Sequence, residues 1–176
     1  MSLRLLFAGL VTALLSGCTV SVPQWQAVSA AINRNTASDY QEHSWTLIYQ
    51  TREVPVHAIA VDGGIVFSDG NDIALAFDGW VIKRALGLAP TGTLKIDIDV
   101  QVYTITDRFR VMQLTCGEWV RMTLSNNTGW FWDLSCVNQS TGVSYNNRIE
   151  INEDNEIVSI QQVIDPDGRF VRLVKR

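Results

Sequence analysis

The chain has 176 residues, with 14 Lys and Arg against 18 Asp and Glu and a formal net charge of −4. No basic stripe forms, which argues against a nucleic-acid partner, and charge spread over 18 % of residues argues against long disorder. The length suits one domain with a real core, and no internal repeat stands out.

The chain opens with the layout of an export signal. Arg4 is the only charge in residues 1–17, and an apolar core follows from Leu5 to Leu15. A membrane span needs roughly 20 apolar residues, so this run is too short for an ordinary anchor. Leu15-Ser16-Gly17-Cys18 matches the bacterial lipobox. That match implies cleavage before Cys18 and acyl chains, palmitate among them, on its sulfur and new amino group. One chain holds only marginally, and two or three make a lasting membrane anchor. Thr19 stands where an inner-membrane retention signal has Asp, so the expected address is the outer membrane, facing the periplasm. The expected organisation is a signal peptide over 1–17, a lipidated tether over 18–23 and a single periplasmic β domain over 24–176.

Pro23 and Gln24 can start a helix, and Trp25, Val28 and Ile32 then fall on one stripe. A short amphipathic helix is expected through about Arg34, its stripe turned to the core. From Trp45 the chain reads as strands between turns, with Asp62-Gly63 and Asp78-Gly79 as hairpin signals. Residues 94–105 alternate throughout, Leu94, Ile96, Ile98, Val100 and Val102 against Lys95, Asp97, Asp99, Gln101 and Tyr103. This pattern predicts one long strand with a wet face that carries Asp97 and Asp99. Further strands are expected at 109–119, 120–124, 130–136, 145–151, 157–164 and 170–174. The whole reads as mainly β, an antiparallel meander, barrel-like or sandwich, of about ten strands with one short N-terminal helix and a disulfide.

Cys116 and Cys136 are the expected disulfide, since two cysteines in one oxidised domain most often pair. Metal binding is the rival, but no CxxC occurs and His43 and His57 lie far from both in sequence. Parity supports the pair. Cys116, Val120, Met122 and Leu124 are even, as are Trp130, Trp132, Leu134 and Cys136. A hairpin turning near 126–127 would set the cysteines opposite each other on the apolar face, subject to a bulge or one-residue slip.

No catalytic constellation emerges, since Gly-x-Ser-x-Gly and His-Glu-x-x-His are both absent. No cofactor or metal is expected, and the protein reads as a non-enzyme. Six tryptophans are the one suggestive set. Odd-parity aromatics, Trp119 and Phe131, and the turn residue Trp80 are the candidate contacts for a glycan or a partner, because indole faces stack on sugar rings. Even-parity Trp130 and Trp132 are expected to fill the core. A glycan hydrolase would need two acids on facing walls about 5–9.5 Å apart, and Asp97, Asp99, Glu118 and Asp133 are the acids available.

These residues carry a resemblance. The leader motif at 15–18, Asp78-Gly79-Trp80-Val81-Ile82 leading to Gly87-Leu88, the spaced cysteines, Asn147 before a strand, and Ser159-Ile160-Gln161 leading to Pro166 together resemble the YjbF/GfcB lipoproteins. The pattern departs at Trp80, where the family has Arg, at Arg148-Ile149, where it has Tyr-Trp, and in a Gln-to-Pro interval about one residue longer. The resemblance implies a barrel-like β fold without enzymatic activity or cofactor, and a role in group 4 capsule and exopolysaccharide secretion or assembly. The implied partners are the membrane through Cys18, polysaccharide export proteins, the polysaccharide, or both. A periplasmic carbohydrate-binding module is the alternative.

Overall fold

The computed structural model describes residues 44–89, 92–124 and 129–176. Cys18, the tether, the helix expected from Pro23 to about Arg34 and the turn at 125–128 lie outside the described residues. Among these residues thirteen strands form a single antiparallel sheet. They are β1 (Ser44–Tyr49), β2 (Arg52–Val61), β3 (Gly64–Ser68), β4 (Ala74–Phe77), β5 (Ile82–Ala89), β6 (Gly92–Asp99), β7 (Val102–Thr106), β8 (Val111–Cys116), β9 (Val120–Thr123), β10 (Gly129–Asn138), β11 (Ser144–Asn152), β12 (Ile157–Val163) and β13 (Phe170–Lys175).

Strands β1 to β8 each pair with the next in sequence, as do β10 to β13, and β13 returns to β1 with Leu47 opposite Leu173. The ring closes because β8 and β9 share one stave. β8 pairs with the second half of β10, with Cys136 opposite Cys116, and β9 pairs with its first half, with Trp130 opposite Thr123. The result is a 12-stave barrel.

Its lumen is filled, not open. Leu47, Phe67, Leu75, Ile82, Leu94, Ile105, Leu114, Leu134, Ile149, Ile160 and Leu173 are all buried and join one apolar cluster that draws on nearly every stave. About eight staves already enclose as much space as side chains can fill in a round barrel. Twelve can stay dry only if opposite walls approach each other, and one hydrogen-bonded pair shows that they do. Gln162 on β12 is buried and reaches Ile82 on β5, on the far side of the ring. Its Oε1 accepts from the Ile82 N–H at 2.7 Å and its Nε2 donates to the Ile82 carbonyl at 3.1 Å. A bulge frees those groups: Phe77 pairs with Ile82 but Ala76 with Arg84, leaving Lys83 as the extra residue. The fold is therefore a flattened barrel, closed like a barrel and layered like a sandwich.

Three sequence expectations change. The described residues form thirteen strands where about ten were expected, within the mainly β antiparallel fold expected. The long strand expected at 94–105 is a hairpin: β6 turns at Val100-Gln101 into β7, with Ile98 opposite Tyr103. The two-residue turn reverses the parity, so Tyr103 and Ile105 face the lumen while Val100 is 90 % exposed at the tip with φ of 54°. A β-branched residue in that left-handed conformation carries no turn signal. Asp97 and Asp99 remain on the wet face as expected, Asp97 paired with Lys95 at 2.6 Å.

The third change lies around the disulfide. Cys116 and Cys136 are joined, directly opposite each other. The Cys116 N–H turns the other way, to the Gln101 carbonyl at 2.8 Å, so the cysteines occupy a non-hydrogen-bonded pair, where side chains stand closest. Beside them buried Asn147 accepts from the Val163 N–H at 2.9 Å, replacing a ladder bond where β12 leaves β11. Between β8 and β9 the register slips by one. Val120 and Met122 then stand opposite Asp133 and Phe131 on the outer face, exposed, instead of on the apolar face with Cys116.

Replacing Gln162 by Leu should cost about 2–4 kcal/mol, because it orphans the Ile82 N–H and C=O in a dry core. Urea unfolding of the oxidised protein measures this, and an unchanged midpoint would contradict the tie.

Candidate functional site

Among the described residues, each end of the barrel carries a packed cluster of different chemistry. At one end the β7–β8 and β12–β13 turns and the end of β1 meet in a charged network. The Asp107 carboxylate is buried and accepts from the backbone N–H of Phe109 at 2.8 Å and of Arg110 at 2.7 Å, and from the Arg110 guanidinium at 2.7 and 3.1 Å. Arg110 also pairs with Asp167 of the other turn. Arg169 links Asp167 at 2.8 Å to buried Asp165 at 3.6 Å, and the Tyr49 hydroxyl donates to Asp165. Burial and the Asp165 carboxylate raise the Tyr49 pKa. Every charge here has a partner, so the network reads as a plug.

The opposite end is aromatic. Trp80, from the β4–β5 turn, lies across the flattened lumen against Trp119 at 5.6 Å and Trp132 at 5.4 Å between ring centroids. The turn that carries Trp80 is held by Asp78, whose carboxylate accepts from the N–H groups of Trp80 at 2.9 Å and Val81 at 2.7 Å. Trp119 and Trp132 pack on the core cluster. The Tyr103 hydroxyl sits with them; burial, then the Asp78 charge, raise its pKa, while a hydrogen bond from Trp119 works against both. Trp80 itself is 46 % exposed. The rings are tilted by 46° and 74°, so the set offers one indole on a braced base, not a flat shelf.

The structure thus brings two of the three candidate contacts together, Trp80 and Trp119, and leaves Phe131 apart. Phe131 is buried on the outer face beneath Arg148, whose guanidinium lies 4.0 Å from the ring centroid and also bonds Asp133 at 3.1 Å. The slip at Gly117–Trp119 explains the split, because it turns Trp119 inward and leaves odd-numbered Phe131 outward. Trp132 joins the group as the sequence could not show. Trp130 is half-buried at the rim under Arg121, 4.3 Å from its ring centroid, instead of filling the core.

Beside this end, β9 pairs with β10 on one edge only among the described strands, and all four of its residues are exposed. The acids a hydrolase would need are engaged or exposed on the outer surface: Asp97 with Lys95, Asp133 with Arg148, and Asp99 and Glu118 in solvent. Among the described residues no group of three His, Cys, Asp or Glu gathers to hold a metal, and no helix is long and apolar enough to cross a membrane. The outward residues of β6, β8 and β10 include Asp97, Gln113, Thr115 and Ser135, exposed and polar, unlike the apolar band of a membrane-spanning barrel.

Burial by itself would raise the Asp107 pKa, but its hydrogen bonds from Phe109 and Arg110 outweigh that and hold it below the usual carboxylate value. A depressed folded-state pKa gives stability that is present above the unfolded value of about 4 and lost as pH falls through the folded value. Wild type should therefore lose stability as pH drops below about 4, and Asp107→Asn should be weaker at pH 7 with a shallower acid slope. Urea midpoints between pH 7 and pH 2 read both; parallel slopes would contradict this assignment.

Compared with known proteins, the chain matches no protein-family model and no curated sequence. Among solved structures it is similar to the hypothetical lipoprotein YmcC from Escherichia coli K12, with a TM-score of 0.56 and 10 % identity, covering 89 % of this chain and 96 % of that one. At that identity the likeness shows a shared fold.

Proposed function

We propose that the chain is an acylated lipoprotein, anchored through Cys18 in the outer membrane with its barrel in the periplasm. In this reading it assists secretion or assembly of an exopolysaccharide or capsule as a YjbF-type protein, by contact and not by catalysis. The observation that carries it is the conjunction of two independent features: a lipobox at Leu15–Cys18 and a barrel shared with YmcC, itself described as a lipoprotein. The apolar cluster that fills the lumen supports action on the outside of the barrel. The anchor confines the domain to one membrane face, which raises its effective concentration near an export complex. The second edge of β9, unpaired among the described strands, suits pairing with an extended segment of an export protein.

A strain lacking the gene should lose surface or secreted polysaccharide, with rescue by wild type and not by Cys18→Ser. Unchanged polysaccharide would reduce the likeness to shared architecture.

One observation favours a second reading, a carbohydrate-binding module: Trp80 presents a half-exposed indole on a braced aromatic base. Titration calorimetry with the organism's own polysaccharide should then show binding, weakened at least tenfold by Trp80→Ala with the fold intact. The partially buried Trp119 is the poorer probe, since its loss would disturb the base. Absence of heat with wild type would remove this reading and leave protein contact.

A further inference from the structure

Much of the outer wall of the barrel is wet, and the wall over β3 and β4 is not. Outward residues of β8 and β10, such as Gln113, Thr115 and Ser135, are exposed. On β3 and β4 they are buried, as at Val66, Ser68, Ala74 and Ala76, and on the adjoining half of β2 they are half-buried, as at His57, Ile59 and Val61. Phe67 and Leu75 point into the lumen, so their neighbours in sequence point out. The ladders align His57, Ser68 and Ala74 in one outward row and Ile59, Val66 and Ala76 in the next. Val66 and Ala74 are each 1 % exposed, and with Ala76 they form an apolar cluster separate from the lumen, flanked by Ile59 and Val61. Every described strand is a stave of the barrel, so no described strand crosses this wall to bury it.

The shape is a shallow trough. Two alanines keep its floor low, and Gly64 opens a notch with Val61, Val66, Ala76 and Lys83. A Cβ on Gly64 would meet the Phe77 carbonyl oxygen at 2.1 Å. The path of the chain points to the occupant. The Ser44 backbone pairs with His57, in the same lateral row as Ser68 and Ala74, so the chain before β1 arrives beside the trough. Two or three strand spacings, about 10–15 Å, separate β1 from β3 and β4. Residues 35–43 can reach about 30 Å when extended. Ahead of them lies the segment whose Trp25, Val28 and Ile32 share one stripe.

We propose that residues 24–34 lie along the outer wall over β2, β3 and β4, with the Trp25–Val28–Ile32 stripe covering Val66, Ala74 and Ala76. The docked segment leaves Thr19–Pro23 as the free leash. Where Cys18 is acylated, a consequence that rests on the function proposed above, this holds the barrel within about 20 Å of the membrane.

The test is thiol labelling in the full chain carrying Cys18→Ser, so that one added thiol is free. With Ala76→Cys, maleimide reaction should be at least tenfold slower than with Val111→Cys, a freely exposed outer-wall control. Adding Val28→Asp and Ile32→Asp should bring the rate to the control's. Equal rates for the two thiols in the parent chain overturn the proposal. So does protection that survives the stripe changes, and so does protection that disappears on dilution, which would assign the trough to a second copy of the chain. Should Ala76→Cys not fold, Val61→Cys at the margin carries the same comparison. The labelling does not depend on acylation, so its failure is distinguishable from failure of the anchoring role.

Discussion

The contact on which this architecture depends is the amide of Gln162 spanning the lumen to the peptide of Ile82. A ring of this many staves cannot be round and dry at once. Flattening resolves the conflict, and the bulge at Lys83 supplies a backbone N–H and C=O turned inward for the opposite wall to hold. A glutamine amide offers that pair both a donor and an acceptor, so the tie satisfies the Ile82 N–H and C=O together. Apolar side chains from the other staves then pack into a single layer between the walls.

Flattening also explains what happens at the ends. Turns on different sides come near enough to touch, so Arg110 of the Asp107 turn can reach Asp167 of the Asp165 turn, and Trp80 can lie on Trp119 and Trp132. Among the described residues, packed turns occupy each end of the barrel. What it offers is outside: an indole at one rim, the edge of β9, and a trough over β2 to β4. The chemistry available on those surfaces is stacking, strand pairing and apolar docking, all modes of contact.

Alternation made most of the fold legible in the sequence, and parity placed the disulfide, because a stave with one dry face must alternate. Two places broke the count. Val100 turns the chain without glycine or asparagine, so residues 94–105 looked continuous. The irregularity at Gly117–Trp119 shifts parity by one, which sent Val120 and Met122 outward and drew Trp119 in. The tie itself was hidden, since nothing local distinguishes Gln162 from Gln161; only the opposite wall does. The candidate contacts were legible in kind but not in grouping. Trp80 and Trp119 meet through the flattening, while Phe131 is taken by Arg148.

Amide hydrogen exchange followed strand by strand tests the closed, flattened barrel most directly. If β13 seals onto β1 and the walls are tied across the lumen, amides paired between β1 and β13 should be protected as strongly as those of β5 and β12, and all should exchange through one global opening. Exchange of β1 and β13 at the rate of the turns, with the rest still protected, would show an open sheet with two free edges and contradict the account.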